Sequence, residues 1–584
     1  MFRLQNILNP EESVCTVEEL YYHRKDDEYI YNGYFNVFSA GDWVRCTQLK
    51  EVSLVLHCVG AAQVSLYADG RVLSVRDLEH TGEYEETIPL PPLTDASFYY
   101  FSYRPAEAGA VLKSGYYATF QKPARKVHIA ADICTFHREQ FVQRNLTVLK
   151  KAILENPDSP LNGHFDVYVI DNGQSLNRED LPSDAVHLYP NINAGGTGGF
   201  TRGILEILKD RKKSGYTHII FLDDDAVLEP DAFLRTYALL SFVREEYEKA
   251  CISGMLMDLN RPWQLNESGA ILDGFRMKPL GSGIDLRKEN SVCECRSLPD
   301  SDYAGWWYAC YPIGVIREDN LPVPFFIHFD DIEYGLRSEG RVIRFAGISV
   351  WHEGQDRRNS QSMLYYDIRN GLVTNALRRA GGDWKNLRDY CCTAILYDSM
   401  RYMYESGDLI WNAVRDFFAG PAGFARIAPV EKNQEIRQMT TQYTPIGELE
   451  LSAEQKRRAE EFARSAARGE RPDRLVSTRQ YAMTLNGWIL PARRSERRAC
   501  LSVFSPDARE LYRAEKAVLI DPYSYRGALV KKDYRRMLQN ILRCIRIRIM
   551  FRFRYDGVQK AYRKNEKRMT CKAFWMKYLE LENH

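Results

Sequence analysis

The sequence lacks the features that would place it at once in several classes of protein. No apolar run approaches the ~20 residues that a membrane-spanning helix needs, and no basic segment leads into an apolar one at the N-terminus. The 13 cysteines are scattered, and neither Cys293-x-Cys295 nor Cys391-Cys392 has a second pair at zinc-finger spacing. An odd number of cysteines without a secretory leader indicates reduced thiols, so we expect a protein of the cytoplasmic side.

Positive and negative charges nearly balance over the whole chain, but they are unevenly distributed along it. The net charge is +1, yet residues 531–570 hold 14 Lys and Arg against 3 Asp and Glu, and RRMLQNILRCIRIRIMFRFR interleaves cations with apolar residues. This pattern predicts a helix on an anionic membrane surface. The Arg-Ile-Arg-Ile alternation fits a strand equally well, or a partly buried surface between copies of the chain. No recognised nucleic-acid-binding module accompanies the segment, so we do not expect a nucleic-acid partner.

The length predicts about two to four domains, and the residue pattern changes twice along the chain. Residues 1–125 alternate or cluster β-branched and aromatic residues between turn signals, which predicts a β-sandwich. Residues 126–382 alternate apolar strands with helical segments, which predicts an α/β domain with a mainly parallel sheet. Residues 383–584 are mostly helical in pattern and end in the basic tail.

The most informative stretch is residues 219–226, where an apolar strand runs directly into Asp223, Asp224 and Asp225. Three adjacent carboxylates repel one another, and a bound cation at the end of the strand would cancel their charge. Mg²⁺ and Mn²⁺ prefer carboxylate oxygens, usually alongside substrate phosphates. The alternative is a solvated acidic turn after an edge strand.

Polar residues also follow the first two strands of the predicted α/β domain. Phe136 and Arg138 come after the first strand and can stack on a base and fork onto a phosphate. Asp171 and Asn172 come after the second and can contact a uracil edge or ribose hydroxyls. Taken singly, Arg138 is an ordinary surface charge and Asp-Asn-Gly an ordinary turn. Together they lie where open α/β sheets bind ligands, at the ends of strands.

A glycine-rich segment, NAGGTGGFTRG, begins at Asn193 and leads into a helix. Its glycines, among them Gly195 and Gly196, let a ligand approach the backbone while helix N–H groups face an anion. The segment is neither a P-loop nor a dinucleotide fingerprint, because the terminal Lys-Ser/Thr is absent and the spacing differs. The alternative is a tight strand–helix turn, which would need only one or two glycines.

Three further motifs follow the aspartate triplet. Trp306 and Trp307 form an aromatic pair that suits a sugar face but also fits a protein core. The segment FIHFDDIEYGLR places Asp330 and Asp331 after an apolar run, where one of them could deprotonate a hydroxyl and Asp330 could instead cap a helix. His352 follows the strand VIRFAGISVW and could complete a metal site, although a lone histidine is usually structural.

Taken in order, TFHR, IDNG, NAGGTGGFTRG, FLDDDA, GWW, FIHFDDIEYGLR and WHE resemble the motifs of family-two glycosyltransferases of the GT-A fold. More narrowly, they are similar to the motifs of bacterial galactofuranosyltransferases of the mycobacterial galactan-polymerising type. The resemblance implies an α/β GT-A (Rossmann-like) catalytic domain between an N-terminal β-sandwich domain and a C-terminal mainly helical domain. One departure is His328, where the family leads us to expect lysine, and it bears on the acceptor more than on the chemistry.

The resemblance also implies roles for individual residues. Asp331 would be the general base, and Asp223, Asp225 and His352 would bind Mn²⁺ or Mg²⁺. The UDP-galactofuranose donor would contact Phe136, Arg138, Asp171, Asn172, Asn193, Gly195, Gly196, Asp223 and Asp224. The acceptor, a glycan or glycolipid, would contact Glu267, Trp306, Trp307, His328 and Asp330.

These roles predict an inverting, metal-dependent transfer of galactofuranose in cell-surface polysaccharide synthesis, without a covalent intermediate. We expect the protein to be peripheral on the inner face of the cell membrane. Another family-two enzyme, such as a rhamnosyl- or glucosyltransferase, would use the same fold and triplet. An inactive carbohydrate-binding scaffold is a third alternative, but it would not need the ionisable residues at positions 223, 225, 331 and 352.

Overall fold

A computed structural model describes residues 1–584 except 12–13, 95–97, 339, 355–359, 379–382, 469–474, 493–498, 506 and 582–584. The chain divides into two units, Met1–Gly354 with Lys567–His584, and Gln355–Glu566. The predicted domain boundary at residue 382 lies outside the described residues. The predicted division into three domains stays a prediction, and the first unit contains both the N-terminal sheets and the sheet that carries the motifs.

Two antiparallel sheets form from the first 119 residues. Their strands are β1 (Phe2–Ile7), β2 (His23–Lys25), β3 (Glu28–Ile30), β4 (Phe38–Ser39), β5 (Ser53–Val59), β6 (Ala62–Ala68), β7 (Arg71–Leu78), β8 (Glu83–Pro89), β9 (Phe98–Pro105) and β10 (Val111–Thr119), with helix α1 (Ala40–Cys46) after β4. One sheet has the order β1-β10-β5-β8, and the other β2-β3-β9-β6-β7 with β4 beside β9. Leu56, Phe101 and Tyr117 are completely buried, and they join both sheets in one core.

The sheet that carries the predicted motifs follows. Its strands are β11 (Ile129–Thr135), β12 (Phe165–Asp171), β13 (Val186–Pro190), β14 (His218–Asp223), β15 (Val227–Leu228), β16 (Cys251–Asp258), β17 (Leu265–Glu267), β20 (Tyr308–Pro312) and β21 (Val342–His352), and β18 (Ala270–Asp273) pairs with β19 (Arg276–Pro279) apart from it. The order is β13-β12-β11-β14-β20-β16-β21-β15, with β17 beside β16. Strands β13, β12, β11 and β14 run parallel, whereas β20 is antiparallel to β14 and β16. The fold of this part is therefore a mixed sheet combined with helices.

The parallel half of the sheet brings the predicted polar residues to one edge. Thr135 of β11 pairs with Asp171 of β12, and Cys134 pairs with Asp223 of β14, so the three strands end at the same level. The helices that connect and cover the strands are α2 (Glu139–Leu149), α3 (Gly195–Ser214), α4 (Pro230–Phe242), α5 (Ser291–Arg296) and α6 (Asp330–Arg337). Helix α3 ends at Gly215, whose φ of 74° allows the left-handed turn that stops the helix.

One buried carboxyl in this sheet has no evident partner. Asp132 lies in the middle of β11 and is fully buried, and neither of its oxygens has a hydrogen-bond partner within the described residues. It faces α3 at Gly203, where an added Cβ would come within 2.1 Å of Oδ1. Burial raises the pKa of Asp132 well above its ordinary value and so favours the neutral form of the carboxyl.

We expect Asp132→Asn to raise the free energy of unfolding at pH 8 and to change it little at pH 4. A carboxyl with a raised folded-state pKa destabilises the fold only above its unfolded-state pKa of about 3.9. The penalty then grows by about 1.4 kcal/mol per pH unit until the folded-state pKa is reached. Chemical denaturation of both proteins at the two pH values checks this. An equal effect at both would mean that ionisation of Asp132 does not limit stability.

The second unit combines helices with a small sheet. It contains α7 (Met363–Arg378), α8 (Trp384–Met400), α9 (Glu405–Phe418), α10 (Gly420–Phe424), α11 (Pro429–Gln438), α12 (Ala453–Ala467), α13 (Thr478–Thr484), most of α14 (Tyr534–Met569), and strands β22 (Thr444–Pro445), β23 (Ala499–Ser502), β24 (Lys516–Asp521) and β25 (Arg526–Lys531). The strands pair in the order β22-β25-β24-β23, a sheet that the sequence pattern did not predict. The last helix, α15 (Lys572–Tyr578), belongs to the first unit, where Trp575 donates to the Pro322 carbonyl at 2.9 Å.

The basic tail is helical, so the strand alternative is wrong for it. One face of α14 packs in the second unit, where Asn540 donates to Ser399 Oγ at 2.8 Å and Tyr562 stacks on Phe417. The opposite face is exposed and apolar, with Leu538, Ile541, Leu542, Ile545, Ile549 and Phe553. Among the described residues, no helix has both the length and the apolar character that crossing a bilayer requires.

Candidate active site

Asp223, Asp225 and His352 form an acidic cluster at the motif edge of the sheet. Each offers one ligand atom, and these atoms all lie within 4.8 Å of one another. His352 Nε2 lies 3.0 Å from Asp225 Oδ1, while Nδ1 lies 2.8 Å from the Glu353 carbonyl, to which it can only donate. A histidine that donates its second ring N–H to a carbonyl presents the other nitrogen to a metal. Two carboxylates and an imidazole are a donor set that Mn²⁺ or Mg²⁺ accepts.

The electrostatics of the cluster also fit a cation. The pKa of Asp223 is raised to about 7, chiefly by burial; His352 opposes this shift, and the nearby Asp225, Asp224 and Asp330 add to it. Burial would lower the pKa of His352, but its hydrogen bond and charge interaction with Asp225 outweigh burial and raise it. The negative charge collected here exceeds what His352 can neutralise, so a divalent ion would relieve the repulsion.

Asp224 lies beside the cluster but turns away from it. Its Oδ2 accepts a hydrogen bond from Thr135 at 2.7 Å, and Oδ1 accepts one from Arg138 at 3.0 Å. Burial raises the pKa of Asp224, although both contacts oppose the shift. Asp224 therefore ties β11 to β14, and its predicted contact with the donor stays a prediction.

Arg138 stands at the N-terminus of α2 and reaches the triplet. Its Nη1 lies 3.0 Å from Asp224 Oδ1 and 2.7 Å from Asp225 Oδ2, and 41% of its side chain is exposed. Burial alone would lower the pKa of Arg138, but Asp224 and Asp225 outweigh it and raise the pKa. Phe136, two residues earlier, is 46% exposed. The TFHR motif thus presents a cation to the acidic cluster and carries an exposed aromatic ring two residues earlier.

Two residues of α2 that the sequence did not point to fix the turn after the triplet. Asn145 is buried, and its Nδ2 donates to the carbonyls of Asp224 and Ala226, both at 2.9 Å. Arg144 donates to the Ala226 carbonyl at 2.9 Å and to the Asp225 carbonyl at 3.4 Å. A polar residue at a buried position of an amphipathic helix was the available signal. Together these bonds fix the main chain that carries the carboxylates.

Asp171 and Asn172 shape the loop at the end of β12. The carboxylate of Asp171 is buried and accepts backbone N–H groups from Gly173 at 2.9 Å, Ser175 at 2.6 Å and Leu176 at 2.8 Å. Asn172 donates to the Gly195 carbonyl at 2.9 Å and accepts from Asn191 at 2.8 Å. Their direct contact with a donor stays a prediction, because these bonds hold the two side chains to the protein.

The glycine-rich segment begins α3 at a close approach of two chains. Gly195 has a φ of 72°, and an added Cβ would lie 2.0 Å from the Phe326 carbonyl oxygen, so no larger residue fits there. Asn193 Oδ1 accepts the Gly195 N–H at 3.2 Å. A Cβ at Gly196, by contrast, would meet no atom within 4 Å among the described residues. The helix start is therefore bound to the protein on one side and open on the other.

Asp330 and Asp331 are the first two residues of α6. The N-cap is Phe329, which makes no side-chain cap bond, so the alternative that Asp330 caps this helix is wrong. Thr197 of α3 donates to Asp330 Oδ2 at 2.7 Å. Burial raises the pKa of Asp331 well above its ordinary value, and the charge of Asp330 raises it further. Burial also raises the pKa of Asp330, against the hydrogen bond from Thr197.

The chain just before α6 is strained. Phe326, His328 and Phe329 all have positive φ values, of 77°, 63° and 70°. Non-glycine residues rarely adopt this conformation, because it costs about 1–3 kcal/mol per residue where the surrounding structure enforces it. The strain places His328 near the two carboxyls of α6, and its charge lowers the pKa of both. Strain of this kind clusters at functional sites.

The predicted acceptor residues separate into two groups. Glu267 accepts a hydrogen bond from Tyr303 at 2.6 Å, burial raises its pKa, and its charge raises that of Asp331. Trp307 is half-buried and donates to the Gly254 carbonyl at 2.9 Å. Trp306 is 4% exposed and packs on Phe200, so its position does not fit the predicted acceptor contact. Its ring fills the core between α3 and the sheet.

Known galactofuranosyltransferases are similar to this chain in sequence. A family model described as the N-terminal part of galactofuranosyltransferase 2 matches residues 12–119. Galactofuranosyltransferase GlfT2 of Mycobacterium tuberculosis is 28% identical over 436 residues, covering 68% of this chain and 66% of that protein. GlfT2 of Mycolicibacterium smegmatis is 26% identical over 457 residues, covering 72% and 68%. The chain thus matches about two thirds of the length of these relatives.

Among solved structures, the mannosyltransferase PcManGT of Pyrobaculum calidifontis, in complex with GDP-Man and Mn²⁺, matches 55% of this chain and 86% of its own at 10% identity. Its TM-score of 0.30 is too low to support a conclusion. The sequence relatives carry the comparison instead. The resemblance indicated by the motifs is confirmed: the chain is similar to the mycobacterial galactofuranosyltransferases GlfT2 over more than two thirds of its own length.

Proposed function

We propose that this protein is an inverting, metal-dependent galactofuranosyltransferase that uses UDP-galactofuranose and a glycan acceptor. The observation that carries the proposal is the cluster of Asp223, Asp225 and His352 beside the Asp330–Asp331 pair. The two groups are close enough for the charge of Asp330 to raise the pKa of Asp223. A cation site next to half-buried carboxyls is what transfer from a nucleoside diphosphate needs: charge for the leaving group and a base for the acceptor.

Each part of the site would then have a chemical task. Asp223, Asp225 and His352 would hold Mn²⁺ or Mg²⁺, which when bound supplies positive charge to the departing diphosphate. Arg138 would pair with a phosphate, and Phe136 would lie against the uracil. Asp331 would take the proton of the attacking hydroxyl, which Glu267 and Trp307 would help to orient. Inversion follows because one displacement occurs and no covalent intermediate is needed.

We expect UDP-galactofuranose to be consumed far faster than UDP-galactopyranose, UDP-glucose or dTDP-rhamnose. The similarity to galactofuranosyltransferases supports this preference. Release of the nucleoside diphosphate from each donor, measured with a galactan oligosaccharide as acceptor, tests it. Preferential use of dTDP-rhamnose or UDP-glucose would move the protein to another branch of family two. No release from any donor, with the metal bound, would favour an inactive scaffold.

The exposed face of α14 supports the predicted contact with an anionic membrane. Its apolar side chains span residues 538–553; Arg546 and Arg552 are exposed among them, and Arg535 is exposed just before them. Cations beside an apolar stripe repel a second identical stripe but attract anionic headgroups. The face would bring the enzyme to a lipid-linked acceptor on the inner surface of the membrane. Pairing of two copies through the same face is the alternative.

We expect the triple variant Ile545→Asn, Ile549→Asn and Arg546→Gln to bind phosphatidylglycerol vesicles more weakly than the unchanged protein. A basic residue near an anionic surface contributes about 1 kcal/mol, and the isoleucines lose buried apolar area. Substitution is preferable to deletion of the tail, because Phe551 and Tyr562 of α14 are buried. Val72→Asn and Val75→Asn, on an exposed strand of the first unit, are the control. Unchanged vesicle binding with an altered oligomeric state would favour pairing of copies.

A further inference from the structure

Arg138 makes contacts that the proposed donor-binding role does not require. A residue that serves only a phosphate needs no carboxylate partner, but Nη1 of Arg138 lies 2.7 Å from Asp225 Oδ2. Asp225 belongs to the acidic cluster, and its other oxygen lies 3.0 Å from His352 Nε2. Each oxygen of this carboxylate is therefore in contact with a nitrogen of a cationic or ionisable side chain. A divalent ion that binds Asp225 has to share it with the guanidinium or replace it.

When no phosphate is bound, it is electrostatically unfavourable for Arg138 and a divalent ion to share the carboxylate of Asp225. Arg138 and a divalent ion are both positive, and both would contact one carboxylate at a site that is largely buried. A diphosphate changes this balance, because its oxygens accept the fork of an arginine and also ligate Mn²⁺ or Mg²⁺. The guanidinium can then leave Asp225 without losing a negative partner.

The surroundings allow Arg138 to move and leave the acidic loop in place. Its side chain is 41% exposed, so part of it is already in contact with solvent. Asp224 would not be released with it, because Thr135 donates to the other oxygen of Asp224 at 2.7 Å. The main chain of the triplet is held independently by Asn145. A shift of one side chain is therefore sufficient to open Asp225.

We propose that Arg138 is a cationic placeholder on Asp225 that the diphosphate of the donor draws away, so that the metal and the nucleotide each strengthen the binding of the other. The inference rests on the proposed function, since it takes the ion and the diphosphate as ligands of one site. It adds a coupling between them. By linkage the factor by which UDP tightens Mn²⁺ equals the factor by which Mn²⁺ tightens UDP.

The test measures binding of Mn²⁺ and UDP to the full-length protein, without turnover. In the unchanged protein we expect UDP to tighten Mn²⁺ binding by about 5- to 150-fold, the usual range of such couplings. In Arg138→Gln, Mn²⁺ alone should bind about tenfold more tightly, UDP should bind more weakly, and the coupling should fall toward one. Electron paramagnetic resonance of free Mn²⁺ and calorimetry of UDP supply the constants. Arg138→Met serves in the same way if the glutamine variant does not fold.

Arg144→Gln is the matched control. It removes the same charge from the same helix, but Arg144 contacts main-chain carbonyls of the loop and not the carboxylates. Because those bonds hold the loop, Arg144→Gln should leave the binding of Mn²⁺ alone unchanged or weaker, and not tighter as in Arg138→Gln. Equal tightening of Mn²⁺ binding in both variants would mean that the loss of any nearby positive charge has this effect, and it would overturn the inference. Unchanged or weaker Mn²⁺ binding in Arg138→Gln would also overturn it. Absence of Mn²⁺ binding in all proteins, with and without UDP, would overturn both the inference and the metal-dependent reaction.

Discussion

Asp225→Ala should reduce sugar transfer by about 10³-fold or more and leave the protein folded. Asp225 is one of the three residues whose ligand atoms lie within 4.8 Å of one another, so its loss removes an oxygen from the expected metal site. Stabilisation of a leaving group by a metal is worth several kcal/mol, and each 1.4 kcal/mol or so is tenfold in rate. The loss also removes one carboxylate partner of Arg138 and leaves its contact with Asp224, and a guanidinium cannot replace a divalent ion at the diphosphate. Initial rates with UDP-galactofuranose, at saturating Mn²⁺, give the comparison.

Removal of the ion from the unchanged protein should have the same effect. We expect EDTA to stop the reaction and added Mn²⁺ or Mg²⁺ to restore it, whereas Asp225→Ala should not recover at any metal concentration. Asp224→Asn is the matched control, because Asp224 lies outside the three-residue cluster and contacts Thr135 and Arg138. It should lose less activity than Asp225→Ala and keep Mn²⁺ binding. Full activity in EDTA would exclude metal-dependent transfer altogether.

The location of the site could be predicted from the sequence, because strand ends and local motifs depend on residues that are close together in the chain. Apolar strands followed by polar residues predicted that Arg138, Asp171 and Asp223 would meet at one edge, since parallel strands of similar length end together. The register of β11 with β12 and β14 places them there. The residue type suggested that His352 could complete a metal site, but its grouping with Asp223 and Asp225 followed from the family resemblance, because nothing near residue 352 indicates which strand is its neighbour.

The features that the sequence did not predict depend on pairing between segments that are far apart in the sequence. The antiparallel pairing of β20 with β14, and that of β22 with β25 in the sheet of the second unit, join strands that lie tens of residues apart. The bond between Thr197 and Asp330 spans 133 residues and depends on how α3 meets α6. Trp306 illustrates the opposite case: its neighbours in sequence suggest a sugar platform, whereas α3 covers it and makes it core. Burial of an aromatic residue is decided by elements that pack over it.

Asp331→Asn should lower turnover by about 10²–10⁴-fold, the usual contribution of a general base. Asparagine keeps the size and shape of the side chain but cannot accept the hydroxyl proton. UDP affinity should change little, because the diphosphate is assigned to Arg138 and the metal. The activity of the unchanged protein should rise with pH, since burial and the charge of Asp330 raise the pKa of Asp331 and only its ionised form can act as base. In Asp331→Asn this rise should disappear.

Asp330→Asn separates the two carboxyls. If Asp331 is the base, removing the charge of Asp330 should lower the pKa of Asp331, so the pH at which activity rises should fall while turnover at pH 8 drops only modestly. Asp330 is the alternative general base, because Thr197 donates a hydrogen bond to it at 2.7 Å and favours its ionised form. Turnover and pH profiles of both variants, with UDP affinity measured for each, decide between them. Near-normal turnover in Asp331→Asn with an inactive Asp330→Asn would move the base to Asp330. Activity in both would leave the start of α6 with a structural role and remove the base from the proposed mechanism.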